Sequence, residues 1–366
     1  MESRIFRVSA FILIILLSTP SLSQAQGKRE TAESYVNLGI SHFKDGEIDE
    51  AIAEYQKAIA VKPNLVSAHF NLGIAYGEKE MWEEAIAEYE KVIALKPDFA
   101  QAHYNLGVAY GTAGRHEEAK REFKKAAELD PQYADAYANA GTAAEYNDEG
   151  VRYGKGSSQE ETVQNYQKAV ELKPDMLKIH LRLAKAYVEQ GKTDEAIVEY
   201  QKVAELSPAD PDIHYRLGAL CQQKGRDDEA IQAYQKAIKL DPKDFDTRYN
   251  LGLVYNRKGK YSQAISEFKS ALILKPVSAN CYSALSFAYR EDGNLDEAIK
   301  TAEKAVQLDS KLAVAYTNLA TAYALKKDYP SAWKSIRTAE KLGDPQSSVL
   351  IEQLKKISKE PGKEYK

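Results

Sequence analysis

The sequence predicts an all-α fold, a solenoid of about nine helix-turn-helix units closed by a C-terminal capping helix. Three observations carry this. Pro63, Pro97 and Pro131 stand 34 residues apart, as do Pro174, Pro208, Pro242 and Pro276, and self-similarity at such a period marks stacked supersecondary units. Within each period the apolar residues fall at helical spacing in two short runs. Gly46, Gly114, Gly191, Gly225, Gly259 and Gly293 lie between the runs, where a residue tolerant of the left-handed conformation ends the first helix.

Residues 1–25 read as a secretory signal peptide. Arg4 and Arg7 precede a run from Val8 to Leu17 that is apolar apart from Ser9, and Thr19-Pro20 and Ser23-Gln24-Ala25 follow. The run is short of the ~20 residues a spanning helix needs, which favours cleavage after Ala25 and a periplasmic or secreted protein; left uncleaved, the segment would anchor the chain. A short linker, 26–31, leads into repeats at 32–65, 66–99, 100–133, 134–176, 177–210, 211–244, 245–278, 279–312 and 313–346. Pro131 and Pro174 are 43 apart, so nine extra residues enter the fourth repeat within 145–161, where glycine, serine and charge predict a mobile loop. Acidic pairs such as Glu83-Glu84 and Asp228-Glu229 open the second helices, where negative charge suits a helix N-terminus. Residues 347–366 form the cap, with Val349, Leu350, Leu354 and Ile357 as its expected apolar face and a polar tail from Pro361.

A formal charge of -4 offers no global attraction for nucleic acid or an acidic membrane. Cys221 and Cys281 belong to different repeats and supply neither a disulfide framework nor metal-ligand spacing. His69, His103, His180 and His214 recur at one position of different repeats, too far apart to share a metal whose ligands each lie ~2 Å from it. His116-Glu117-Glu118-Ala119-Lys120 lacks the second histidine of a zinc-protease helix, and the glycines of 150–156 are wrongly spaced for a phosphate loop. No catalytic residue, cofactor or metal is therefore expected, and the chain reads as a non-enzyme.

Asn71-Leu72-Gly73-Ile74-Ala75-Tyr76 and its counterparts around Asn37, Asn105 and Asn250, with Ala51/Tyr55, Ala85/Tyr89, Ala119/Phe123 and Ala264/Phe268 in the second helices, resemble the tetratricopeptide repeat (TPR) family. The resemblance implies antiparallel helix pairs stacked in a right-handed superhelix, with first helices lining a concave groove that binds protein or peptide.

Counting from each repeat's first residue, positions two, five, nine and twelve share one stripe of the first helix. In the first three repeats this stripe holds Val36, Ile40, Phe43, Phe70, Ile74, Tyr104 and Val108. Such an apolar series fits a partner site, or burial by the solenoid or a self-associating copy. Position six carries Asn37, Asn71, Asn105 and Asn139, returning as Asn250 and Asn318. An amide both donates and accepts, and the series resembles the asparagine ladder of the O-linked N-acetylglucosamine transferase superhelix, without its catalytic domain. Simple frequency of asparagine at this position is the other reading. Lys178, Arg182, Lys185 and Arg216 form an expected basic belt for an acidic segment; Asn139, Lys178 and Arg182 match the later positions of a TPR carboxylate clamp, whereas Tyr104 and Val108 stand at its earlier ones. Asp135 and Asp212 are placed to neutralise the belt. The sequence thus predicts an exported scaffold for an extended or acidic polypeptide. The alternative is a carbohydrate-handling or assembly scaffold of an envelope secretion system, stacking sugars on Phe70, Tyr104, Tyr215 and Tyr249.

Overall fold

A computed structural model of the protein describes residues 31–145 and 157–359. The expected signal segment, most of the insertion in the fourth repeat and the end of the tail lie outside the described residues. Nineteen helices and no strand are present among the described residues, and none of those helices is long and apolar enough to cross a membrane. The chain divides at Gln190/Gly191 into an N-terminal and a C-terminal unit.

In the N-terminal unit, α1 (Ala32–Lys44) pairs with α2 (Ile48–Val61), α3 (Val66–Glu78) with α4 (Trp82–Leu95), α5 (Ala100–Thr112) with α6 (His116–Leu129) and α7 (Ala134–Ala144) with α8 (Ser157–Leu172); α9 (Leu177–Glu189) packs on α8. The C-terminal unit opens with α10 (Thr193–Leu206). It continues as the pairs α11 (Pro211–Gln223) with α12 (Asp227–Leu240), α13 (Phe245–Arg257) with α14 (Tyr261–Leu274), α15 (Ala279–Glu291) with α16 (Leu295–Leu308) and α17 (Ala313–Leu325) with α18 (Tyr329–Lys341). The last helix, α19 (Ser347–Ile357), packs on α18.

Local chemistry sets these boundaries. Gly46 and Gly114 close first helices at φ 83°, a conformation only glycine enters without steric cost; Glu80 and Lys327 take it in repeats two and nine at φ 61° and 65°. Position eight fixes how closely a pair can approach. In repeat seven it is Gly252, where an added Cβ would lie 2.5 Å from the Phe268 ring. Phe268 is fully buried, as are its counterparts Phe123 and Tyr234. Small residue and large ring are thus two halves of one contact, repeated along the chain.

The cap differs from expectation in the face it buries. Ile351 and Leu354 are buried on α18, with Leu350 beside them, whereas Val349 and Ile357 are about three-fifths exposed. The reason is helical phase: 347, 350, 351, 354 and 358 follow the three- and four-residue steps of one face. Ser358 closes it by accepting a 3.0 Å bond from Trp333 Nε1.

Candidate functional site

The structure corrects the apolar groove expected in the first repeats. Val36, Ile40, Phe70 and Tyr104 are buried, and Phe70 is wholly inaccessible. Phe70 packs against Tyr89 and Phe99 at centroid separations of 6.0 and 5.0 Å, and Tyr104 against Phe123 and Tyr133 at 5.6 and 4.8 Å. Position five here points between helices and is closed off by the next repeat, so Phe70 and Tyr104 are core residues and unavailable to peptide or sugar.

The asparagines, too, face neighbouring helices. Asn139 Nδ2 donates to Tyr104 Oη at 3.0 Å, Asn250 Nδ2 to Tyr215 Oη at 3.3 Å and Asn318 Nδ2 to the Ser283 carbonyl at 3.0 Å. Each bond spans 35 residues, one repeat plus one position, and so joins position six to position five of the preceding first helix. For Asn71 the residue in that register is Val36, and its buried Nδ2 has no hydrogen-bond partner among the described residues. Asn105 meets Phe70 in that register and bonds Tyr89 instead. Only Asn37, with no described helix before α1, is exposed. The series staples repeats together, and the expected ladder along a groove is corrected accordingly.

The basic belt is divided and half neutralised. In the N-terminal unit Lys178 and Lys185 are exposed, but Arg182 from α9 pairs through Nη1 with Glu145, a carboxylate only 1% exposed at the C-terminal end of α7. With Asn139 also buried, the clamp-like trio does not converge on an external anion. In the C-terminal unit Arg216 Nε donates to Asp212 at 2.7 Å, an exposed pair on one helix that contributes little to stability.

A groove does form in the C-terminal unit, among α13, α15, α17 and α19. Its volume is about 760 Å³. Positions two, five, nine and twelve supply most of the lining: Tyr249, Asn256, Asn280, Phe287, Arg290 and Val314 stand among them, with Val349 and Gln353 added by the cap. Arg290 is the one charged residue in this lining. Its guanidinium sits 4.7 Å above the Phe287 ring and pairs with Glu291 at 2.8 Å. Asn256 Nδ2 donates to the Ala284 carbonyl at 3.2 Å, which fixes the amide and leaves its buried Oδ1 without a hydrogen-bond partner among the described residues. Of the first-helix residues singled out from sequence, Tyr249 and Asn318 line this groove, the Tyr249 ring stacked on Phe245 at 5.9 Å, and Asn250 is bonded to Tyr215. Asn256, Phe287 and Arg290 escaped notice, although the same count of positions carried into repeats seven to nine points to them.

The position-four histidines hold their repeats closed. His69 Nε2 donates to the Pro63 carbonyl at 2.7 Å and Nδ1 lies 2.5 Å from Glu88; His103 reaches the Pro97 carbonyl at 3.0 Å and Glu122 at 2.7 Å. In repeat seven Arg248 replaces the histidine and bonds the Pro242 carbonyl and Glu267 in the same way. Burial pulls the His103 imidazole down, but the Glu122 carboxylate and the Pro97 carbonyl outweigh it and raise it above its ordinary value. A raised folded-state value means stability that is fully present below the unfolded value of roughly 6.5 and is lost as pH climbs through the folded value. The N-terminal unit is therefore expected to weaken as pH rises above roughly 6.5, with Glu122→Gln abolishing much of that slope; hydrogen exchange across α5 and α6 at several pH values checks it. The cysteines are buried and free, their thiols pushed up by burial to about 11 at Cys221 and about 12 at Cys281.

Family profiles described as TPR repeat match residues 39–80, 75–114, 184–225 and 220–259, and profiles described as tetratricopeptide repeat match 100–133 and 249–313. Together they cover more than half of the chain. It belongs to the tetratricopeptide repeat family. No curated protein matches this TPR chain in sequence. Among solved structures it is similar to MamA from Desulfovibrio magneticus RS-1, with 24% identity over 46% of this chain and 96% of that one at a TM-score of 0.44. It is also similar to YrrB, titled a TPR protein with an unusual peptide-binding site, at 22% identity, 53% and 95% coverage and a TM-score of 0.44. Yeast Tom70 is 14% identical, with 88% and 95% coverage and a TM-score of 0.40.

Proposed function

We propose that this TPR protein is an exported, non-enzymatic scaffold that holds an extended polypeptide segment in the groove of its C-terminal unit. The observation that carries the reading is the composition of that groove. Fixed amides alternate with apolar surface, and its single guanidinium is already paired. Such a surface recognises peptide backbone and small apolar side chains rather than charge. The buried Oδ1 of Asn256 seeks an N–H donor, since an unpaired buried acceptor costs about 1–3 kcal/mol, and a peptide amide supplies one. Pairing of Arg182 and Arg216 within the chain favours the extended segment over the acidic one.

An unbiased peptide array probed with the full chain tests this. Binding sequences are expected to be neutral and extended, and Phe287→Ala and Asn256→Ala should each weaken capture by about tenfold, equivalent to 1.4 kcal/mol. Peptides captured equally by both variants would refute the assignment of the groove. Capture of soluble oligosaccharides and of no peptide would give the groove to the carbohydrate reading, with Tyr249 and Phe287 as stacking surfaces.

A further inference from the structure

Away from that groove, a cavity of about 590 Å³ lies among α10, α11 and α12. It sits where repeat six breaks the pairing rule of the position-four histidines. His214 Nε2 donates to the Pro208 carbonyl at 3.0 Å, as His69 and His103 do to their own prolines. The carboxylate that faces Nδ1 in repeats two and three stands 19 residues on, at Glu88 and Glu122. In repeat six that residue is Ala233, and His214, 5% exposed, has a buried Nδ1 with no hydrogen-bond partner among the described residues.

The second half of the carboxylate's setting is retained. In repeat two Glu88 is shared between His69 and Lys91, the latter at 2.7 Å. Lys236 holds the place of Lys91 in repeat six; it lines the cavity and makes no ion pair among the described residues. The chain has kept both partners of a carboxylate, an imidazole and an ammonium, and lost the side chain that carried it. We propose that this cavity binds a carboxylate from outside the chain, held between His214 Nδ1 and Lys236 Nζ as Glu88 is held in repeat two. Lys239 adds positive charge to the lining. The acids there, Glu205 and Glu229, have cations of their own in Lys202 at 2.8 Å and Arg226 at 3.9 Å. The volume exceeds that of the missing propionate arm, so the ligand is an organic acid larger than acetate or a glutamyl or aspartyl side chain of another polypeptide.

The test is imidazole nitrogen NMR on the full chain, titrated in one arm with acetate and glutarate and in the other with an end-blocked glutamyl peptide. Binding places a proton on Nδ1 opposite the carboxylate, so the His214 nitrogen signals are expected to move, while those of His69 and His103, which hold their own glutamates, stay still. Response to the free acids marks a small-molecule site, and response to the peptide alone marks a protein side chain; either supports the proposal. Ala233→Glu supplies the carboxylate internally and is expected to abolish the response. Glu88→Ala is the converse variant and should make His69 responsive. A His214 signal unmoved by every carboxylate, or moved equally in Ala233→Glu, would overturn the proposal.

Discussion

Arg182→Met is expected to destabilise the N-terminal unit by about 3–5 kcal/mol, the cost of leaving a buried charge without its partner. Glu145 is 1% exposed and caps the C-terminal end of α7, where the helix dipole is itself negative. Beneath it lies Tyr166, fully buried, whose hydroxyl is pushed far up first by burial and then by the Glu145 charge. Arg182, reaching across from α9, brings a positive charge onto that carboxylate. Reading the same arginine as part of an open anion site predicts the opposite, that its removal is harmless until a ligand is added. Because stacked repeats open in parts, residue-resolved hydrogen exchange over α7, α8 and α9 is the suitable measure. Protection there should fall in Arg182→Met while α1 to α4 are unchanged. The double variant Glu145→Leu/Arg182→Met should recover most of the loss, since an apolar pair of similar volume replaces a buried ion pair at little cost. Arg182→Met with protection within about 0.5 kcal/mol of the native chain would show that the pair does not hold this junction.

What was legible in the sequence divides along one physical line. Helices, their pairing and their turns depend on residues within one period, and the prolines, the closing glycines and the Gly252/Phe268 kind of contact announce them. Which face of a first helix meets water depends on the repeat before and after. Position five reads as solvent-facing in an isolated helix, yet Phe70 and Tyr104 are covered by the next pair, and Asn139 turns back to Tyr104. One signal for this was present: the partners of Asn139, Asn250 and Asn318 lie 35 residues earlier, and Asn71, which meets Val36 there, has a buried Nδ2 with no hydrogen-bond partner among the described residues. The groove was missed for a related reason. The aromatics and asparagines that stand out in the first repeats are conspicuous there because they are buried, while the open surface belongs to the more degenerate repeats beside the cap. Ala233 was likewise readable, as the one alanine standing where His69 and His103 have glutamates; the pairing it breaks became visible only once those histidines were seen to be bonded.

Gly252→Leu and Phe268→Ala are each expected to destabilise the C-terminal unit, and together to do so far less than their sum. Phe268→Ala empties a fully buried ring site, with a cost of about 3–5 kcal/mol. Gly252→Leu drives a branched side chain into the same ring, where even a Cβ would approach to 2.5 Å, and overpacking of this kind costs about 1–3 kcal/mol or more. The ring is hemmed in, fully buried and packed against Tyr249 at a centroid separation of 6.0 Å. In two of the three repeats that lack glycine at position eight, position twenty-four is smaller than a ring: repeat eight carries Ser286 with Ala302 and repeat nine Ala320 with Ile336, whereas repeat five keeps Tyr200 beside Ala184. In repeat eight the added hydroxyl also gains a bond, Ser286 Oγ donating to the Ala298 carbonyl at 2.7 Å. Gly252→Leu/Phe268→Ala should therefore regain at least half of the combined loss, read as a coupling of about 1–3 kcal/mol in a double-mutant cycle followed by hydrogen exchange over α13 and α14. Strictly additive costs would mean that the two residues do not compete for one space, and that the spacing of these helices is set by the surrounding leucine and alanine contacts instead.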